Sequence, residues 1–189
     1  MGFVLNYYIS YYCLRGELIP SFRCSSLLFI LIALFTIAPI SVVQANVSEK
    51  DIKSLGKALN FIQNGPKGVV EIDIIYNKES AHSLQEARAI ENMLSSGFSS
   101  GKITLRGSKT ETSTGAKIAY ITKGSEGKAL SLVNKGIITV SQGKNCVVNH
   151  KCVLGVTTNP KIDFYLSSTA SERAGVLFKV AFQMMVTEY

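Results

Sequence analysis

The sequence predicts a single α/β domain of three-layer type, with a mostly parallel sheet, an antiparallel edge hairpin and a buried C-terminal helix. Three observations lead there. Helical and strand-like stretches alternate early in the chain, the order that builds a parallel sheet with helices laid over it. Residues 136–141, GIITVS, are apolar almost without interruption, as strands covered on both faces are. Residues 162–167 alternate instead, with Ile162, Phe164 and Leu166 against Asp163, Tyr165 and Ser167, behind the turn signal Asn159-Pro160. That pattern suits a half-exposed antiparallel strand.

The elements follow in order. Residues 48–64 form a helix opened by Ser48 and Asp51 as a capping box, with Ile52, Leu55, Leu59 and Ile62 at helical spacing. Asn64-Gly65-Pro66 ends it. Residues 69–76 form the first strand, with Val70, Ile72, Ile74 and Tyr76 on one face and Glu71 and Asp73 on the other. Two acids on one strand face suggest acid/base chemistry only if other groups converge on them, and a partly solvated face paired with lysines is the plainer expectation. Ser83-x-x-Glu86 opens a second helix reaching Phe98, with Ala87, Ile90, Met93 and Leu94 inward. Strands over 103–106 and 117–122 follow. Gly124-Ser125-Glu126 then starts a short helix carrying Leu130 and Val133. Further strands are read at 136–141, 152–156 and 162–167. Thr169-x-x-Glu172 opens the last helix, which is apolar around most of its circumference. Such a helix is largely core or seats a partner. Phe178, Phe182 and Met185 are the residues that would face that partner.

Residues 1–45 read as a secretory leader and residues 46–189 as the domain. Arg15 and Arg23 precede the uncharged run LLFILIALFTIA from Leu27, Pro39 breaks it, and Val43-Gln44-Ala45 supplies the small residue before a cut. The expected cleavage lies between Ala45 and Asn46. The apolar run is short for a retained membrane anchor, which needs about 20 residues, so an anchor is the minority reading. The domain keeps two cysteines, Cys146 and Cys152. In an exported chain they favour a disulfide, whose short loop would be worth about 2–3 kcal/mol. A zinc site or a reactive thiol is the alternative, with His150 as the one further ligand or activator nearby.

The formal charge is +7, carried mostly by scattered lysines. No tight basic run with interleaved aromatics appears, which argues against nucleic acid and leaves anionic lipid or an acidic partner. The chain has no G-x-S-x-G elbow, no Walker loop, no dinucleotide fingerprint and no H-E-x-x-H. The expectation is therefore a protein that is not an enzyme, with no cofactor and no metal. Ligands of parallel sheets sit outside the carboxyl ends of the strands. If the domain binds one, as one lobe of a solute-binding protein would, the rim is Tyr76-Asn77, Thr122-Lys123-Gly124 and Ser141.

The order of features, together with Gly136-Ile-Ile-Thr-Val-Ser141, Cys146, Cys152, Ile162-Asp-Phe-Tyr-Leu166 and Ala174-Gly-Val176, resembles the YfiR-like family of periplasmic proteins. The specific matches fall in the last third of the chain. The resemblance implies a periplasmic regulator that dimerises and binds an inner-membrane sensor or signalling protein such as a diguanylate cyclase, influencing cyclic-di-GMP signalling. The family's earlier cysteine pair has no counterpart here, and Asn64-Gly65-Pro66 stands where its Trp-Pro follows the first helix, so control through that earlier pair is not implied.

Overall fold

The structure is a computed structural model that describes residues 47–189; the expected leader and its cleavage point at Ala45 and Asn46 lie outside the described residues. The described residues form one compact unit holding the whole sheet and both of its cores. The elements are α1 (Glu49–Leu59), β1 (Gly68–Ile75), α2 (Ala81–Leu94), β2 (Phe98–Ser100), β3 (Ile103–Thr110), β4 (Ile118–Ile121), a 3-10 turn (Glu126–Lys128) running into α3 (Ala129–Val133), β5 (Ile138–Gln142), α4 (Asn145–Val148), β6 (Leu154–Thr157), β7 (Asp163–Leu166), α5 (Ser168–Ala174), α6 (Val180–Gln183) and β8 (Thr187–Glu188).

The eight strands lie in the order β2-β3-β1-β4-β5-β6-β7-β8. β3, β1, β4, β5 and β6 run parallel, and antiparallel pairs occur at β2–β3 and β6–β7. Strand alternation divides the apolar residues between two cores. Ile72, Ile74, Ile118, Tyr120 and Val140 face the larger core with Ile52, Leu55 and Leu59 of α1 and Ala87, Ile90 and Leu94 of α2. Ile75, Ala119 and Ile121 face the smaller one with Ala129 and Leu132 of α3 and Cys146 and Val147 of α4. The expected α/β class, mostly parallel sheet and antiparallel hairpin are all present.

Several local expectations need correction. α1 is capped as read, with the Ser48 hydroxyl accepting from the Asp51 amide at 3.3 Å and the Asp51 carboxylate accepting from the Ser48 amide at 2.8 Å. α2 instead starts at a cap on Ser80, because the Ser83 hydroxyl and the Glu86 carboxylate are engaged by the sheet end. Phe98 belongs to a short strand and not to the helix. The connection holding the two cysteines is a crossover through α4 between the parallel strands β5 and β6. β7 is covered at its outer side by β8 and is therefore not the sheet edge.

The buried C-terminal helix is replaced by a broken segment. α5 is capped by Ser167, not Thr169, and ends at Gly175, whose φ of 65° is left-handed, with the Val176 amide reaching back to the Ser171 carbonyl at 2.9 Å. Glycine adopts that conformation without steric penalty, which makes it the common helix stop. The chain then extends, pairing Phe178 with Ile62 as an isolated antiparallel bridge. Val176 and Phe178 turn inward and Leu177 outward. The spacing that reads as helical is in part a period of two.

Candidate interaction surface

The carboxyl rim of the sheet is tied to itself. The Thr122 hydroxyl donates to the Ile75 carbonyl at 2.9 Å and lies 2.6 Å from the Ser83 hydroxyl. Asn77 donates through its amide side chain to the Gly124 carbonyl at 3.3 Å. Lys128 Nζ donates to the carbonyls of Tyr76 and Glu111 at 2.9 and 2.8 Å. Beneath this lies Glu86, buried, accepting from the Lys123 amide at 2.9 Å and from the Tyr120 hydroxyl at 3.4 Å. Burial pushes its carboxyl pKa up, against the pull of the Lys123 amide and His82. His82 Nδ1 stays 3.9 Å from that carboxylate, too far for a hydrogen bond. Thus Tyr76, Asn77, Thr122, Lys123 and Gly124 come together as expected, but their polar groups are largely satisfied from within. Ser141 is buried, with no hydrogen-bond partner for its hydroxyl.

The other singled-out residues have structural roles. Cys146 and Cys152 form a disulfide, both buried against the smaller core. His150 points away from thiol chemistry, with Nδ1 3.0 Å from the Ser167 hydroxyl that caps α5. Asp73 is buried and pairs with no lysine. Its carboxylate accepts from the Ser113 hydroxyl at 2.8 Å and from the Thr114 amide and hydroxyl at 2.8 and 2.6 Å. It thereby clamps the connection from β3 to β4, which crosses β1 without a helix. Among the described residues no group of three or more His, Cys, Asp or Glu is placed to hold a metal ion.

The open concavities lie at the opposite end, where the parallel strands begin. A groove of about 700 Å³ is lined by Lys57, Asn60, Asn64, Lys67, Lys102 and Lys179 among others. A second, of about 530 Å³, runs on past Glu71, Lys117 and Gly136 to Gly175. The C-terminal segment borders both. Gln63 N–H donates to the Leu177 carbonyl at 2.8 Å, and Lys179 N–H donates to the Phe61 carbonyl at 2.9 Å.

That segment corrects the expected partner surface. Phe178 and Phe182 belong to the core, where Phe182 sits 5.3 Å from Phe61, 5.1 Å from Phe178 and 5.5 Å from Phe164 between ring centres. Met185 is exposed at 57 %, and it is joined by three apolar residues not among those expected to face a partner: Leu177 at 65 %, Val180 at 67 % and Met184 at 83 %. Gly175 was the signal that separates the two sets, because a helix stopped there cannot carry one face through to Met185.

Comparison with known protein families and with curated protein sequences finds no match. Among solved structures, the chain is similar to the crystal structure of a conserved domain protein from Vibrio cholerae O1 biovar El Tor, with a TM-score of 0.50 and 12 % sequence identity. The match covers 74 % of this chain and 59 % of that one. At this identity the likeness is one of fold, and this chain spans less than two thirds of its neighbour.

Proposed function

We propose that this chain is an exported regulatory protein that acts by contact, holding an inner-membrane signalling partner such as a diguanylate cyclase through the apolar shelf of Leu177, Val180, Met184 and Met185. The shelf carries the reading. Four large apolar side chains are exposed in one short segment, beside a core that took Phe178 and Phe182, and exposed apolar surface gathered in one place is characteristic of an interaction site. Two further features support it. The buried disulfide fits an oxidising compartment. The carboxyl rim, where a small substrate of a parallel sheet would sit, is bound up in its own hydrogen bonds. No described helix is long and apolar enough to cross a membrane. The partner's identity rests on the resemblance to YfiR-like proteins. In-cell crosslinking from a photoreactive residue at Met184, followed by mass spectrometry, tests the reading. Capture of a membrane sensor or cyclase, lost in a Leu177→Ser/Val180→Ser variant, is expected. Capture of a transporter permease, or of nothing but the chain itself, overturns it. A small ligand-binding domain is the second reading, favoured by the groove of about 700 Å³; a ligand-dependent rise in Tm would support it and not the first.

A further inference from the structure

We infer that the exposed lysine face of α1, continued into the groove at its C-terminal end, docks on the anionic phospholipid headgroups of a bilayer. Lys50, Lys53 and Lys57 are exposed and follow one another at i, i+3 and i+7. At about 100° per residue these positions fall within one narrow stripe of the helix. The opposite side of α1 carries Ile52, Leu55 and Leu59 into the core. Where the stripe ends, Lys67, Lys102 and Lys179 arrive from three other segments to line the same groove as Lys57.

These charges are not used within the fold. The lysine ion pairs of the described residues are Lys78–Glu111, Lys109–Glu91 and Lys161–Asp163, none on this face. The Lys179 Nζ donates only to the Asn60 carbonyl, at 3.4 Å. The acids nearby are few: Asp51 is held in the helix cap, Glu49 stands at the helix start, and Glu71 lies in the adjoining groove. Nor does the helix dipole account for the stripe. Lys57 is in the last turn, where a cation is favoured, but Lys50 and Lys53 lie towards the N-terminal end, where it is not.

The shape selects a surface and not a single small anion. The groove is open and lies at the C-terminal end of α1, where the helix dipole disfavours an anion entering in depth. Lysines are flexible point charges that suit a diffuse array of headgroups better than one bidentate ligand. Each lysine near such a surface is worth about fivefold in partitioning. The inference stands apart from the regulatory reading, since it uses the lysines and that reading uses the apolar shelf.

The test is sedimentation of the domain beginning at Val43 with phosphatidylcholine vesicles, with and without phosphatidylglycerol. Binding only to the anionic vesicles, weakened by salt, is expected. Lys53→Gln/Lys57→Gln/Lys102→Gln should lower partitioning by about 100-fold at low salt. Lys78→Gln/Lys135→Gln/Lys161→Gln removes the same charge elsewhere and should change it by less than about threefold. Circular dichroism verifies folding of both variants. Three results would overturn the inference: equal binding to both vesicle types, equal loss in both variants, or no vesicle binding while an acidic protein is captured through these lysines.

Discussion

Replacing Asp73 tests whether the β3–β4 connection is held by one buried carboxylate. Three hydrogen bonds converge on it from Ser113 and Thr114. Hydrogen bonds to a charged group contribute about 1.5–3 kcal/mol each. Ser113 and Thr114 are not buried and regain water when released, so the sum is well below three full bonds. Asp73→Ala is expected to destabilise by about 3 kcal/mol, and Asp73→Asn, which keeps one acceptor oxygen, by about 1–2 kcal/mol. Urea unfolding of the domain from Val43 measures both. The pH dependence supplies an independent check. Burial pushes the Asp73 carboxyl up, but the bonds from Thr114 and Ser113 together outweigh it and leave its pKa below the ordinary value. A carboxyl with a depressed folded-state pKa contributes stability that is fully present above the unfolded value, about 4. That contribution is lost as pH falls through the folded one. The gap between wild type and Asp73→Asn should therefore be constant from neutral pH down to about 5 and shrink below about 4. A gap under about 0.5 kcal/mol at pH 7, or one that widens on acidification, would refute the clamp.

Other expectations follow from single contacts. Phe182→Ala should cost about 3–5 kcal/mol in urea unfolding, because its ring fills the centre of an aromatic cluster, whereas Met184→Ser should stay within about 0.5 kcal/mol. A Cβ on Gly155 would collide with the Gly143 carbonyl oxygen. Gly155→Ala should therefore force β6 away from the Gly143 loop, and lower Tm by several degrees, about 2 kcal/mol. Reducing the disulfide, or Cys146→Ala/Cys152→Ala, should destabilise by about 2 kcal/mol, read as a shift of the urea midpoint that reductant produces in wild type only. Glu86→Gln should be neutral or stabilising at pH 8: burial raises the Glu86 pKa, so the ionised form weighs against the fold above that pKa, and the variant's advantage should vanish as wild type protonates.

The sequence by itself determined the elements whose cause is local. The Ser48–Asp51 box starts α1 because both partners are three residues apart. The alternation of residues 69–76 places Ile72 and Ile74 in one core and Ile75 in the other, because a strand's side chains alternate whatever lies beside it. The parallel arrangement was legible in the unbroken apolar run of β5. The cysteine pair was legible from compartment and count. What only the tertiary structure decided depends on distant partners. Ser83 and Glu86 fit a helix cap by spacing, yet Thr122 and the Lys123 amide, brought alongside by the sheet, engage them instead. Asp73 reads as a solvated acid until the β3–β4 connection folds across it. The segment after Gly175 satisfies a helical and an alternating pattern alike. Pairing with Phe61 to Gln63 chose between them, sending Phe178 and Phe182 inward and leaving Leu177, Val180, Met184 and Met185 outside. Lys50, Lys53 and Lys57 share a stripe of α1 by spacing alone, but Lys67, Lys102 and Lys179 come from three other segments, and only folding brings them to the groove beside Lys57.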